Sequence, residues 1–256
     1  MTIHTHTKVN AGLHVLRRRP DGYHDLETLF LPCRSFGDIL EIQEAPQTSL
    51  QLVMEGGAPS WDPAADLTMK ALRLLKADFP HLPEFALRLE KHAPVGAGLG
   101  GGSADAAAVL RAVNDMCGLG LDNSALSSYA AALGSDCAFF IYDTPMFGSG
   151  RGEILKPFDI DLSGYELRVA VPSGEAVSTA EAYRGVKPRE DRPEPLRESL
   201  RRPVSEWKGV VVNDFEESIF PSHPAIAALK ERMYADGAVY ASMSGSGSAV
   251  FGLFAR

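Results

Sequence analysis

Nowhere does the chain stay apolar for the ~20 consecutive positions that a membrane-spanning helix needs. Cysteine is scarce. Cys33, Cys117 and Cys137 are odd in number and lack metal-ligand spacing, which argues against a disulfide framework or a zinc site and for reduced thiols in a cytosol. Positive charge is in deficit, with 25 Lys and Arg against 33 Asp and Glu and a net charge of −8. That balance argues against a general nucleic-acid or membrane surface, while leaving room for a local basic pocket. Met1 leads almost at once into folded-looking sequence, so no signal or transit peptide is expected and the protein reads as cytoplasmic. An apolar fraction of 45% and a charged fraction of 23% are those of a globular protein, and 256 residues make one large domain or two intimately packed lobes.

Glycine is present in quantity, and its placement is informative. Five glycines fall within the eight residues of Gly96-Ala97-Gly98-Leu99-Gly100-Gly101-Gly102-Ser103, with Pro94 and Val95 before them. An alternating segment (Phe85, Leu87, Leu89) precedes the loop as a strand, and residues 104–116 follow it at helical spacing. Strand, glycine loop and helix start form a cradle for phosphate, because bare backbone lets N–H groups close on an anion and the first helical N–H groups point at it. One or two glycines would serve an ordinary turn, and five go beyond that need.

The segment Gly96-Ala97-Gly98-Leu99-Gly100-Gly101 also satisfies G-x-G-x-x-G, with Asp122 about where a ribose-binding acid would stand. In a dinucleotide fold the first glycine ends the strand directly, whereas Lys91-His92-Ala93-Pro94 intervene here. A Walker lysine is missing as well, since no G-x-x-x-x-G-K precedes Ser103. Such a loop must take its charge and catalytic groups from elsewhere in the chain.

In chain order, residues 2–16 alternate as a strand, and Lys8 and Asn10, two apart, share one of its faces. His4 and His6 on that strand read as solvated terminal histidines rather than a metal pair. The turn Arg17-Arg18-Arg19-Pro20-Asp21-Gly22-Tyr23-His24 ends in two rings that suit either ordinary packing or a ligand. Strands are expected over 26–31, 38–43 and 50–54, then a Gly/Pro-rich link over 56–63 and a helix over 66–77. A short helix over 124–133, capped by Ser124, leads into Gly134-Ser135-Asp136 and an apolar run. An acid between a helix end and an apolar run is oddly placed for a solvated charge. Residues 146–155 read as a hairpin, 167–171 as a strand, and 184–203, rich in Pro, Arg and Glu, as an exposed mobile loop. A helix over 224–234 precedes a strand over 238–243, the small-residue turn Ser244-Gly245-Ser246-Gly247-Ser248 and a last strand over 249–254. That turn serves as a hairpin or as a surface that packs against phosphate or against the other loop.

Several separated segments then agree. The stretch from Pro94 to Ala107 resembles the glycine-rich motif of the kinases grouped as galactokinase, homoserine kinase, mevalonate kinase and phosphomevalonate kinase. Lys8-Val9-Asn10 with Asp21-Gly22-Tyr23-His24, Gly134-Ser135-Asp136, Gly150-Arg151-Gly152-Glu153 and Met243-Ser244-Gly245-Ser246-Gly247 resemble the branch acting on 4-diphosphocytidyl-2-C-methyl-D-erythritol. The likeness runs from about Thr7 to Phe254. Departures are His6-Thr7 for a usual Pro-Ala, Ala138 for a usual Pro, and Asp66 for an expected Asn.

The resemblance implies an α+β, two-lobed fold: an N-terminal nucleotide lobe like a ribosomal S5 domain over 1–155, a ferredoxin-like lobe over 156–256, and the active site between them. It implies ATP-dependent phosphorylation of the substrate's 2-hydroxyl, with Mg²⁺, by a monomer or weak homodimer. No protein metal ligand is identified. By resemblance Asp136 is the base and Lys8 the cation that keeps it ionised and stabilises the transferring group. Lys91, Pro94, Gly96, Gly98, Leu99, Gly100, Gly101, Gly102 and Ser103 hold the nucleotide. Tyr23 and Tyr183 sandwich the cytosine, His24 reads its edge, Asn10 and Thr179 hold polar groups, and Gly245, Ser246 and Gly247 support the site. A homoserine- or mevalonate-type kinase would keep the loop but give Tyr23 and His24 no purpose. A nicotinamide oxidoreductase would leave Lys8 and the Ser-Gly turn unexplained, and a non-catalytic nucleotide module would need neither base nor cation.

Overall fold

The described residues, 1–55, 57 and 61–256 of a computed structural model, form eleven strands and eight α-helices. The link expected over 56–63 therefore lies partly outside them. The chain begins β1 (Thr2–His4), β2 (Thr7–Arg18), β3 (His24–Cys33), β4 (Ile39–Ala45) and β5 (Ser49–Met54). It continues α1 (Leu67–Asp78), β6 (Glu84–Lys91), α2 (Gly101–Met116), α3 (Asn123–Leu133) and α4 (Cys137–Tyr142). Next come β7 (Met146–Ser149), β8 (Ile154–Pro157), β9 (Tyr165–Ala170), α5 (Thr179–Gly185) and α6 (Leu196–Ser199). The last elements are α7 (Phe215–Ile219), α8 (Pro224–Ala235), β10 (Ala238–Met243) and β11 (Val250–Ala255). Where one strand is expected over 2–16 there are two, broken at Thr5 and His6, whose side chains turn to Asp38 and Asp143. Among the described residues no helix is long and apolar enough to cross a membrane.

One unit comprises Met1–Thr7, Phe36–Val95 and Gly100–Asp143. Its sheet has the order β1-β4-β6-β5, with β5 parallel to β6 and the other pairs antiparallel. Strand β6 alternates strictly, burying Phe85, Leu87, Leu89 and, at its end, Lys91. Helix α2 is the centre of this unit, and its run of buried alanines lets α1, α3 and α4 pack closely on it. Helix α3 is capped by Asp122, which accepts from Ala125 N at 2.8 Å, and not by Ser124. The helix begins one residue earlier than its apolar pattern indicates, so the aspartate takes the cap. Asp122 is thus a structural cap rather than a ribose ligand.

The other unit comprises Lys8–Ser35, Gly96–Leu99 and Thr144–Arg256. It holds the sheet β2-β3-β7-β8, with the expected β7–β8 hairpin, and the antiparallel sheet β10-β11-β9 covered by α8. Leu13, Val15, Val177, Phe215, Ile226, Met243 and Val250 lie at the heart of its core. The stretch 184–203 is not an exposed loop throughout. It contains α6, buries Leu196 and Leu200, donates Arg189 N to Val15 O at 2.9 Å, and pairs Arg192 with Asp214. Leu196 explains Gly12, where a Cβ would stand 2.6 Å from Leu196 Cδ1. Charge and proline dominate the stretch's composition, but two leucines and one buried ion pair suffice to dock it.

Candidate active site

The β2 face behaves as its alternation predicts. Lys8 and Asn10 are both almost fully buried side by side. The Lys8 ammonium donates to Asn10 Oδ1 at 2.6 Å and to Gly98 O at 2.9 Å, and lies 5.7 Å from the Phe30 ring centroid. Asn10 Nδ2 donates to Thr28 Oγ1 at 3.0 Å, and Thr28 Oγ1 donates to Gly12 O at 2.7 Å. A lysine can only donate, so the amide oxygen must face it, and the Thr28 relay holds that orientation. The result is a buried cation at a defined point.

The first part of the glycine loop, Gly96–Leu99, is gripped from both sides. Lys8 N donates to Leu99 O at 2.9 Å and Ala249 N to Ala97 O at 3.0 Å. Gly98 O also accepts from Ser244 Oγ at 3.0 Å. The Ser244–Gly247 turn thus packs against the loop and against Lys8. At Gly245 a Cβ would stand 3.3 Å from Asn10 Oδ1 and 3.5 Å from Lys8 Nζ. Asn213, buried, holds this turn by donating to Met243 O and Gly245 O, each at 2.8 Å. Sequence reading passed over Asn213, and its signal is an amide standing after three consecutive valines. Gly98 has φ +76°, and a Cβ there would lie 2.1 Å from Ser244 O. Gly98→Ala is therefore expected to destabilise the protein by more than about 1 kcal/mol, read as a lower midpoint in urea unfolding. An unchanged midpoint would show that the loop yields at no cost.

The rest of the loop starts α2. Gly100 is left-handed, φ 74°, and α2 has no side-chain cap, whereas α1 and α3 in the same unit are capped by Asp66 and Asp122. A helix start built of Gly101, Gly102 and Ser103, with no side-chain cap hydrogen bond to satisfy it, suits an anionic ligand. Nucleotide phosphates fit that chemistry. Asp66, the departure from the family pattern, is fully engaged: it accepts from Thr68 N at 2.9 Å, Thr68 Oγ1 at 2.6 Å and Trp61 Nε1 at 3.0 Å.

Asp136 stands half-buried at the start of α4, its side chain not used as a cap. Ser103 hydrogen-bonds the adjacent Cys137 thiol, which burial pushes up to about 12. The contact sets the beginnings of α2 and α4 side by side, so the end of the glycine loop and Asp136 are brought together. Lys91 is placed differently. Its ammonium is buried between Asp38 and Asp105, 2.6 Å from Asp105 Oδ2, beneath Gly101, where a Cβ would lie 3.4 Å from Asp38 Oδ2. Asp38 also accepts from His92 N at 2.6 Å and Ala93 N at 2.8 Å. The sequence contained the signal, since the alternation that buries Leu89 also turns Lys91 inward.

At the candidate substrate end, Asp21 closes the Arg19–Tyr23 turn by accepting from Tyr23 N at 3.1 Å. Tyr23 is 56% exposed, with the Arg151 guanidinium 4.9 Å from its ring centroid. Arg17 and Arg19 both bond Asp25, and the Arg17 hydrogen bond leads in lowering that carboxyl below its usual range. Tyr183 stacks on His24 at 5.0 Å and meets Phe215 edge-on at 4.9 Å. Burial, then the Arg18 charge, lowers the His24 pKa, which favours a neutral imidazole with one donor and one acceptor. Thr179 Oγ1 lies 3.5 Å from Ser246 Oγ. Among the described residues no group of His, Cys, Asp and Glu is arranged to hold a metal ion.

Comparison with known proteins points one way. The model of the GHMP kinases N terminal domain matches residues 66–144, and that of the GHMP kinases C terminal region matches 195–256. The 4-diphosphocytidyl-2-C-methyl-D-erythritol kinase of Bacteroides thetaiotaomicron is 46% identical over 96% of this chain and 89% of its own length. That of Parabacteroides distasonis is 47% identical over 97% and 90%. A crystal structure of a 4-(cytidine 5'-diphospho)-2C-methyl-D-erythritol kinase superposes with a TM-score of 0.80 at 34% identity, covering 99% of this chain and 90% of that one. The mevalonate kinase of Methanococcus jannaschii, at 13% identity and a TM-score of 0.68 over 99% and 90%, shares the fold.

Proposed function

Because the chain belongs to the GHMP kinases, we propose that it transfers the γ-phosphoryl group of ATP to the 2-hydroxyl of 4-diphosphocytidyl-2-C-methyl-D-erythritol. The expected α+β GHMP kinase fold is the one found. The observation that carries the substrate is the identity of 46–47%, sustained over nearly the whole chain, to relatives of that name. The reaction uses Mg²⁺ and proceeds in the cytoplasm, in a monomer or weak homodimer.

When bound, ATP with Mg²⁺ supplies the transferable phosphoryl group and offsets its charge. The chain's own groups then do the positioning. The backbone amides of Gly100, Gly101, Gly102 and Ser103 hold phosphate at the uncapped start of α2. Asp136 orients the acceptor hydroxyl and takes its proton. Lys8 stabilises charge developing on the phosphoryl oxygens. Asn10 keeps Lys8 aimed, Tyr23 and Tyr183 hold the cytosine faces, and His24, neutral, reads the ring's edge. Lys91 supports the loop from beneath.

The assay that tests this is ATP consumption by the purified chain with the cytidylyl substrate, homoserine or mevalonate. Turnover with the first alone is expected. Turnover with either of the others and none with the first would replace this reading with a sibling kinase. Tyr23→Ala should cost roughly 1–3 kcal/mol of substrate binding, the scale of base stacking on aromatic platforms. That is about five- to 150-fold in KM for the cytidylyl substrate, at about 1.4 kcal/mol per tenfold. Phenylalanine should restore most of it, because the ring face carries the contact. A change confined to KM for ATP would remove Tyr23 from the cytosine site.

A further inference from the structure

The imidazole of His223, which immediately precedes α8, is bonded at both nitrogens to carboxylates. Nδ1 lies 2.6 Å from Glu175 Oε2 and Nε2 lies 3.0 Å from Glu181 Oε1. Carboxylates only accept, and a neutral imidazole carries one N–H. Both bonds are therefore present together only when the ring is protonated. The two acceptors belong to separate segments. Glu181 sits in α5, two residues from Thr179 and two from Tyr183, and its amide is the one that Ser178 caps at 3.1 Å. Glu175 lies on the segment after β9, and its carbonyl accepts from Ser248 Oγ at 2.9 Å, beside the Ser-Gly turn. His223 thus ties the short helix bearing Thr179 and Tyr183 to the segment anchored on that turn.

We propose that His223 is a positioning residue for the cytidine end of the substrate: its imidazolium clamps α5, and with it Tyr183 and Thr179, in the receiving geometry. The proposal rests on the reading of the substrate given above. The groups whose charge acts on His223 are Glu175, from the segment after β9, and Glu181, from α5. The hydrogen bond to Glu175, then that to Glu181, raises the pKa of His223 above its ordinary 6.5, and burial opposes them less strongly. A group whose folded pKa is raised makes its contribution below the unfolded value and loses it as pH rises through the folded value. The clamp is accordingly complete below pH 6.5 and opens as the pH rises through the raised folded value. His24, the imidazole that stacks on Tyr183, is shifted the opposite way, so its titration falls in a separate, lower window.

The test measures KM for the cytidylyl substrate and for ATP across pH 5.5–9, together with calorimetric binding of CDP to the whole enzyme. Wild-type KM for the cytidylyl substrate should rise by about tenfold through the His223 transition, the scale of one lost charge-assisted hydrogen bond, with KM for ATP flat. His223→Gln should show the high value at every pH. Glu181→Gln keeps an acceptor but removes a charge, so it should move the rise to lower pH, which a purely structural role would not do. CDP affinity should follow the same curves. Overturning results are a wild-type pH profile in His223→Gln, or a profile unmoved in Glu181→Gln. Should His223→Gln not fold, the Glu181→Gln profile decides alone. A wild-type enzyme that neither binds CDP nor turns over the cytidylyl substrate would instead refute the parent reading, and this proposal with it.

Discussion

Asp136→Asn should lower kcat by roughly 10²–10⁴-fold, the usual contribution of a positioned general base, while KM for ATP stays near its wild-type value. The substitution keeps size and shape and removes the charge together with the ability to take a proton. Asp136 is half-buried at the head of α4 and its carboxylate does not cap that helix, so an amide there leaves the helix start intact. The neighbouring contact, Ser103 with the Cys137 thiol, uses neither carboxylate oxygen. The loss should appear in single-turnover phosphorylation as it does in the steady state. Wild-type-like turnover in a folded Asp136→Asn protein would take the residue out of the chemistry.

Asp38→Ala should destabilise the protein by about 3–5 kcal/mol, the range for removing one partner of a buried ionic cluster. The cause is specific. Asp38 accepts from the His92 and Ala93 amides and is one of two carboxylates on Lys91, all within a site almost closed to solvent. Its removal leaves two amides unpaired just before the glycine loop and shifts Lys91 wholly onto Asp105. For a chain of this length about 2–4 °C of melting temperature is lost per kcal/mol, so a fall of roughly 6–20 °C is expected. KM for ATP should rise as well, because Asp38 Oδ2 lies under Gly101, the first residue of α2.

Asp105 should respond differently, and pH reveals it. Two carboxylates share one buried cation, and burial drives Asp105, held by Lys91 and the Thr5 hydroxyl, up to about 7. Its folded pKa is above its unfolded value of about 3.8. The native state therefore binds more protons in between, and stability falls as pH rises from about 4 to about 7. Asp105→Asn should lack that fall. Urea unfolding of both variants and the wild type at pH 5 and pH 8 separates the two roles. Equal losses for Asp38→Ala and Asp105→Asn at pH 8 would mean that the amide acceptor at Asp38 contributes nothing special.

Much of the site was written in the chain's own periodicities. Residues two apart on a strand share a face whatever the rest of the molecule does, so Lys8 and Asn10 were paired by sequence alone. Five glycines before a helical run impose a bare, left-handed entry to α2 for the same local reason. The hairpin at β7–β8 and the turn before β11 were equally local. The choice among partners was not. Lys91 reads as a cation available to phosphate until folding sets Asp38, 53 residues away, and Asp105, 14 away, on either side of it. His223 acquires its partners only when two glutamates from other segments close on it. Arg192 reads as part of a solvated run until it meets Asp214 inside the fold. Charge has long reach and no period, so sequence determined where the chain turns and which faces it shows, and only the tertiary structure decided which opposite charges meet.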